Sequence, residues 1–297
     1  MRPGRPSRRV LVLGPVYPTA LVNGLVTMLR DELSTAAPDV EVGYRGYPAD
    51  YHDRLLDIAA EIDTLHPAVI VGWGPRCARV EGYLHRPPVV FIVSGDPETL
   101  SLGAGPRLSG LATTGTAGVP RAQVALVTEF LPSARRVAVL WDPTDGNSVR
   151  SFNDTAEPAL DARLRRESLE VRRPGDLDAS FAVAAERDVD AVCVASSPLS
   201  VAHAPRIAQL AEAHRLPLVA DLADFAYAGA LAAYGASLSS TFRRAAVHVR
   251  RFLDGGRGNE LGVERMAAEL VVNVRTAQAL GVAIPPPVLA RTARRVD

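Results

Sequence analysis

Arg8-Arg9-Val10-Leu11-Val12-Leu13-Gly14-Pro15 returns 127 residues later as Arg135-Arg136-Val137-Ala138-Val139-Leu140-Trp141-Asp142-Pro143, and this echo decides the fold. Three further matches keep almost the same spacing. Ala59-Ala60-Glu61 returns as Ala184-Ala185-Glu186, Ala68-Val69-Ile70-Val71 as Ala191-Val192-Cys193-Val194, and Arg86-Pro87-Pro88-Val89-Val90 as Arg215-Leu216-Pro217-Leu218-Val219, at offsets of 125, 123 and 129. Four matches in order at one spacing describe two similar halves in tandem. Each half alternates short apolar runs with amphipathic stretches, the pattern of strand-helix-strand units around a parallel sheet. The expected class is α/β with two similar lobes, and a cleft between domains is a preferred place for a small ligand.

Working outward, strands are expected near 9–13, 40–44, 69–72, 89–93 and 108–112, then 136–140, 167–171, 191–195, 217–220 and 230–234. Leu55, Ile58, Ile62 and Leu65 share one helical face, as do Leu126, Val127 and Phe130, so helices over 51–65 and 117–131 should pack on the sheets. Beyond residue 236 the repeat stops. A long arginine-rich helix is expected near 238–253, and the segment from Leu270 onward must pack against one of the lobes.

Composition removes several function classes. The 297 residues suffice for two domains with separate cores. With 33 basic and 33 acidic residues there is no electrostatic footprint for nucleic acid or an anionic membrane. The chain contains no lysine, which excludes a Schiff-base lysine and a phosphate-loop lysine. Its 2 cysteines, Cys77 and Cys193, read as buried packing residues, and its 6 histidines have no metal-ligand spacing, so neither metal nor cofactor is implied. No G-x-S-x-G elbow, Cys-His pair or G-x-G-x-x-G marks a hydrolase or a dinucleotide enzyme, so the reading is of a non-enzyme. Val10–Leu13 is too short for a signal-peptide core or a transmembrane segment, so the chain as given is expected to carry no export signal and to be cytoplasmic.

The stretch Val89–Thr114, with Gly95-Asp96-Pro97 after a strand and Ser109-Gly110-Leu111 beyond it, resembles the substrate-binding proteins of ABC importers, in the subgroup of tryptophan- and tyrosine-binding lipoproteins. Asp142-Pro143, Phe225 with Gly229, Leu231, Tyr234 and Gly235, and above all Glu269–Asn273 with Thr276-Ala277, Leu280-Gly281 and Ile284-Pro285-Pro286 carry the same likeness. The resemblance spans roughly residues 20 to 290. Family members are extracytoplasmic and usually begin with a signal peptide and often a lipid-modified cysteine, which this sequence does not show, so either the true start lies upstream or this relative works in the cytoplasm. Asp142 stands where the family often has Asn, Ala230 where it has Gly, and Arg275 where it has Lys.

The resemblance implies the type I periplasmic-binding fold: two Rossmann-like lobes that close on a ligand like a flytrap, joined by three crossovers. Lobe 1 would comprise 8–113 with 236–269, and lobe 2 would comprise 114–235 with 270–297. The hinge would lie near Thr113-Thr114, Ala233-Tyr234 and Leu270–Asn273. The partners implied are a small molecule, an amino acid with aromatic or branched kinds favoured, and an ABC transporter permease.

Ligands of open parallel sheets bind beyond the carboxyl ends of the strands, which selects the residues just after each one. Tyr17 offers a ring and a hydroxyl after the first strand, or caps the lobe edge. Trp73, between two glycines, would stack on a ligand or close over an ammonium group; a packing role is the alternative. Ser94, Gly95 and Asp96 offer a hydroxyl, backbone donors and a carboxylate, although Asp96 is also placed to cap its own turn. Thr113 and Thr114 sit where the chain should cross. In the second half Asp142, Asn147, Ser196, Ser197, Asp221 and Phe225 occupy the comparable places. Asp221 is the first choice for holding a ligand's ammonium group, the alternative being an N-cap for a helix beginning near Leu222. A small-molecule sensor of the same fold, acting in the cytoplasm through a partner protein, is the alternative function.

Overall fold

The computed structural model describes residues 8–15, 20–35, 37–47, 55–74, 87–94, 97–98, 101–114 and 118–297. They fall into two compact units, Met1–Gly115 with Leu238–Met266 and Thr116–Ser237 with Ala267–Asp297. The chain passes from one unit to the other three times.

In the first unit the strands are β1 (Arg8–Pro15), β2 (Val40–Tyr47), β3 (Val69–Trp73), β4 (Val89–Ser94), β5 (Leu108–Thr114) and, late in the chain, β11 (Val263–Arg265). They form one parallel sheet in the order β11-β5-β4-β3-β1-β2. In the second unit β6 (Arg136–Trp141), β7 (Arg165–Glu170), β8 (Ala191–Val194), β9 (Leu218–Ala220) and β10 (Ala232–Gly235) repeat that path. With β12 (Glu269–Asn273) and β13 (Arg294–Val296) they give the order β13-β12-β10-β9-β8-β6-β7. The sequence echo is therefore a repeat of topology, β6 to β10 retracing β1 to β5. Every pairing in this second sheet is parallel except β10 with β12, which run antiparallel.

The strands are continuous apolar runs because helices cover both faces of a parallel sheet. Val10–Leu13, Val69–Val71, Val89–Val93, Val137–Leu140 and Ala191–Val194 are buried throughout. The core of the β6 to β10 sheet takes Leu126, Val127 and Phe130 from the Val119–Phe130 helix, as the spacing predicts, and Val124 in addition. In the first unit the Leu55–Leu65 helix packs through Ile58, Ala59 and Ile62; residues 51–54 of the expected helix lie outside the described residues. Phe91 and Gly110 are register partners on β4 and β5, and the missing side chain of Gly110 is filled by the Phe91 ring.

The arginine-rich helix runs Leu238–Leu253. It turns Phe242, Ala245, His248, Val249 and Phe252 inward, leaving Arg243, Arg244, Arg250 and Arg251 partnered with acids or facing water. Three strands were not expected from the sequence: β11 and β13 are three residues long and charged, and β12 was read only as part of a tail. Among the described residues no helix is long and apolar enough to cross a membrane, and no group of three or more His, Cys, Asp or Glu side chains is placed to hold a metal ion.

Candidate functional site

Each sheet has a switch point, between β1 and β3 and between β6 and β8, where successive connections leave in opposite directions. The carboxyl ends of the strands around such a point form a crevice lined by loops.

In the second unit this end is occupied by a connected set of polar groups. Asp142 follows β6, and its Oδ1 accepts from the Thr144 amide at 2.8 Å and the Thr144 hydroxyl at 2.7 Å. The Ser148 hydroxyl accepts from the Asp142 amide at 2.9 Å and donates to the Ala195 carbonyl at 2.7 Å, bridging the β6 loop to the end of β8. Asp145 caps the Gly146–Asp154 helix by accepting from the amides of Asn147 and Ser148. The Asn147 carbonyl oxygen accepts from Arg150, so this side chain is engaged along its own helix.

The two adjacent strand ends β8 and β9 bring Ser196 and Asp221 together. The Asp221 carboxylate accepts from the Ser196 amide at 3.0 Å and from the Ser196 hydroxyl. Asp221 is 5 % exposed, and desolvation by burial, opposed by the bonds from Ser196, pushes its pKa up to about 6. The next helix starts at Asp224 with Ala223 as its N-cap, so Asp221 does not serve as that cap. Ser197 closes a capping box with Ser200 at the start of the Pro198–Ala202 helix, and Phe225 is buried as a packing residue.

Gln123 was missed by the sequence reading. It is buried on the Val119–Phe130 helix, and its amide donates to the carbonyls of Val194 at 2.9 Å and Val219 at 3.3 Å, the ends of β8 and β9. The signal was present in the sequence: Gln123 sits three and four positions before Leu126 and Val127, a polar residue on an apolar stripe. Ser148, in the same stretch as Asp142 and Asn147, was likewise missed.

In the first unit Ser94 and Thr113 meet at 3.0 Å between hydroxyls, and Thr113 also donates to the Val93 carbonyl at 3.3 Å. Trp73 is half-buried at the end of β3, edge-on to Phe242 with ring centroids 5.3 Å apart and planes at 84°. A side chain at Gly14 would lie 2.8 Å from the Tyr44 hydroxyl and 3.3 Å from the Trp73 ring, so both rings pass close to the end of β1. Tyr17, Gly95, Asp96 and Cys77 lie outside the described residues, as does the side chain of Thr114. Cys193 is buried as expected.

Two doubly wound sheets that share one strand path, with polar groups gathered at the carboxyl ends, are the architecture of the type I periplasmic-binding fold. The model of the family "ABC transporter substrate binding protein" matches residues 15–296, and the chain belongs to that family. A conserved domain protein from Vibrio cholerae is similar in structure, with a TM-score of 0.80 at 20 % identity, covering 98 % of this chain and 100 % of that one. An ABC domain from Streptococcus pneumoniae, solved in complex with L-Trp, also has a TM-score of 0.80, at 17 % identity over 98 % of this chain and 100 % of its own. A leucine-binding protein from Thermotoga maritima has a TM-score of 0.54 at 17 % identity, covering 76 % of this chain and 69 % of that chain. No curated protein sequence matches the chain.

Proposed function

We propose that this protein captures a small ligand between two closing lobes on behalf of an ABC-type importer, and that the ligand is an amino acid. The observation that carries the reading is the Ser196–Asp221 pair at the carboxyl ends of β8 and β9. It is a nearly buried carboxylate, oriented by two donors and held where a ligand of this fold would present its ammonium group. Ser94 and Thr113 supply hydroxyls at the corresponding end of the other sheet, suited to the ligand's carboxylate. Trp73, Tyr17 and the backbone near Gly95 and Asp96 complete the proposed contacts, with Thr114, Asp142, Asn147 and Ser197 shaping the rims and Phe225 as a further apolar contact.

The aromatic or branched preference is supported by the half-buried Trp73 face and by the L-Trp bound to the pneumococcal structure. Closure would proceed about the three crossovers, with ligand contacts favouring the closed form. A thermal-shift screen against the twenty amino acids, sugars, purines and small peptides tests this. A ligand that binds only the folded state raises stability by about 2.7 kcal/mol at a hundredfold excess over its Kd. A shift with one class of amino acid supports the reading; shifts confined to sugars or purines, or none with any amino acid, refute it.

A further inference from the structure

A buried hydrogen-bonded relay lies in the first unit, away from the strand ends. His248, fully buried on the Leu238–Leu253 helix, places Nδ1 2.9 Å from the Ser109 hydroxyl on β5 and Nε2 3.0 Å from Glu264 Oε1 on β11. Arg244 clasps the same carboxylate with two bonds, of 2.6 and 2.7 Å. The connectivity is that of a Ser-His-Glu hydrolase relay, but Ser109 is 0 % exposed inside the sheet, where no substrate reaches it.

What the relay joins is more informative. β5 leads to the first passage between the units, the Leu238–Leu253 helix follows the second, and β11 leads to the third. We infer that His248 is a positioning residue that clamps together the three segments of the first unit leading into the crossovers, and that protonation weakens the clamp. Its consequence for ligand capture rests on the closure reading above; the clamp itself does not.

The chemistry is set by which atoms carry hydrogen. The Arg244 hydrogen bonds, with a smaller contribution from His248, keep Glu264 ionised below the ordinary carboxyl range, so it only accepts. Nε2 therefore carries the imidazole proton, and Nδ1 accepts from the Ser109 hydroxyl. A second proton on Nδ1 forces Ser109 to turn and accept, which strips its hydroxyl hydrogen of this partner in a fully buried place. Desolvation, outweighing the attraction of Glu264, lowers the His248 pKa, so the neutral, clamped form is the one present at neutral pH.

Arg265 lies beside Glu264 on β11, and two carboxylates near the helix are engaged elsewhere. Glu32 of the Ala20–Ser34 helix pairs with Arg243, and Glu260 of the Gly258–Leu261 helix pairs with Arg251. β3 and β4, which pack behind the helix, carry no ionisable side chain. His248, Glu264 and Arg244 are thus the groups that titrate or carry charge within the clamp.

Hydrogen–deuterium exchange of the full chain, without ligand, tests the clamp. His248→Phe removes both bonds, and exchange in peptides covering 108–113 and 263–267 should accelerate by about tenfold or more while peptides of the second unit are unchanged. His248→Gln, which keeps a donor toward Glu264, should restore part of the protection. Ser109→Ala carries the same test should the Phe variant fail to fold. In the wild type, after correction for intrinsic rates, the same peptides should lose protection as pH falls below about 6.5, the ordinary histidine value, and the Gln variant should lack this step. Equal exchange in all variants, or an acid step that survives in His248→Gln, overturns the inference. A thermal-shift screen that finds no ligand refutes the capture reading and leaves the clamp standing.

Discussion

Replacing Asp221 by Asn separates a carboxylate kept for binding from one kept for the fold. Burial raises the folded-state pKa from 3.8 to about 6, roughly two units, and at 1.36 kcal/mol per unit the ionised form costs about 3 kcal/mol at pH 7. Asn removes the charge, but its NH2 group replaces one of the two oxygens that accept from Ser196, and losing one of those bonds takes back about 1 kcal/mol. Asp221→Asn should therefore stabilise the second unit by about 2 kcal/mol at pH 7, an order-of-magnitude figure built from the shift above.

The sign with pH follows from linkage. The folded state binds the extra proton between pH 3.8 and about 6, so the wild-type contribution is fully present below 3.8 and is lost as pH rises through 6. The advantage of the variant should vanish and turn into a small cost by about pH 4, where the folded-state carboxyl is protonated and the lost bond is what remains. Urea unfolding at pH 7 and pH 4 measures this, read from Trp141 fluorescence in a Trp73→Phe background so that the second unit alone reports. An Asn variant that is less stable at pH 7, or a difference that does not change with pH, would refute the argument. On the capture reading the same variant also loses affinity for an ammonium-bearing ligand by about 2 to 5 kcal/mol, measured by calorimetry.

Three other substitutions probe the frame. A methyl at Gly110 would lie 2.2 to 2.4 Å from three ring atoms of the fully buried Phe91, so Gly110→Ala should cost about 1 to 3 kcal/mol in urea melts, recovered largely by adding Phe91→Leu. Gln123→Leu removes the donor over the carbonyls of Val194 and Val219 and should cost about 1 to 3 kcal/mol, with exchange increasing at the ends of β8 and β9. Burial, helped by the Asp221 charge, pushes the Cys193 thiol up to about 12, so in a Cys77→Ser background iodoacetamide at pH 8 should label Cys193 only after denaturant is added.

The parts of this fold that were legible in the sequence are those in which burial dictates residue type. Val10–Leu13, Val89–Val93 and Val137–Leu140 announce parallel strands because both faces of such a strand exclude water, and a doubled set announces two sheets. The strands that escaped notice, β11 and β13, sit on edges where one neighbour suffices; Glu264 and Arg294 are tolerated there because their side chains reach solvent or a partner. β12 pairs antiparallel with β10, a choice fixed by where the chain re-enters the second unit and not by Leu270–Val272 themselves.

The candidate site divides along a similar line. Strand ends are readable from the strands, so Ser94, Thr113, Asp142, Ser196 and Asp221 could be chosen one by one. What those residues do with one another was not readable, because it depends on which strand lies beside which. Ser196 and Asp221 are 25 positions apart and meet only because β8 neighbours β9. Asp142, similar in composition, turns instead to Thr144 two residues away. Identical chemistry at two strand ends thus yields one carboxylate engaged through Oδ1 by its own turn and one engaged through both oxygens by a neighbouring strand end. On the capture reading Asp221 is the carboxylate whose removal should change binding more than it harms the fold, because burial makes its ionised form costly to the second unit.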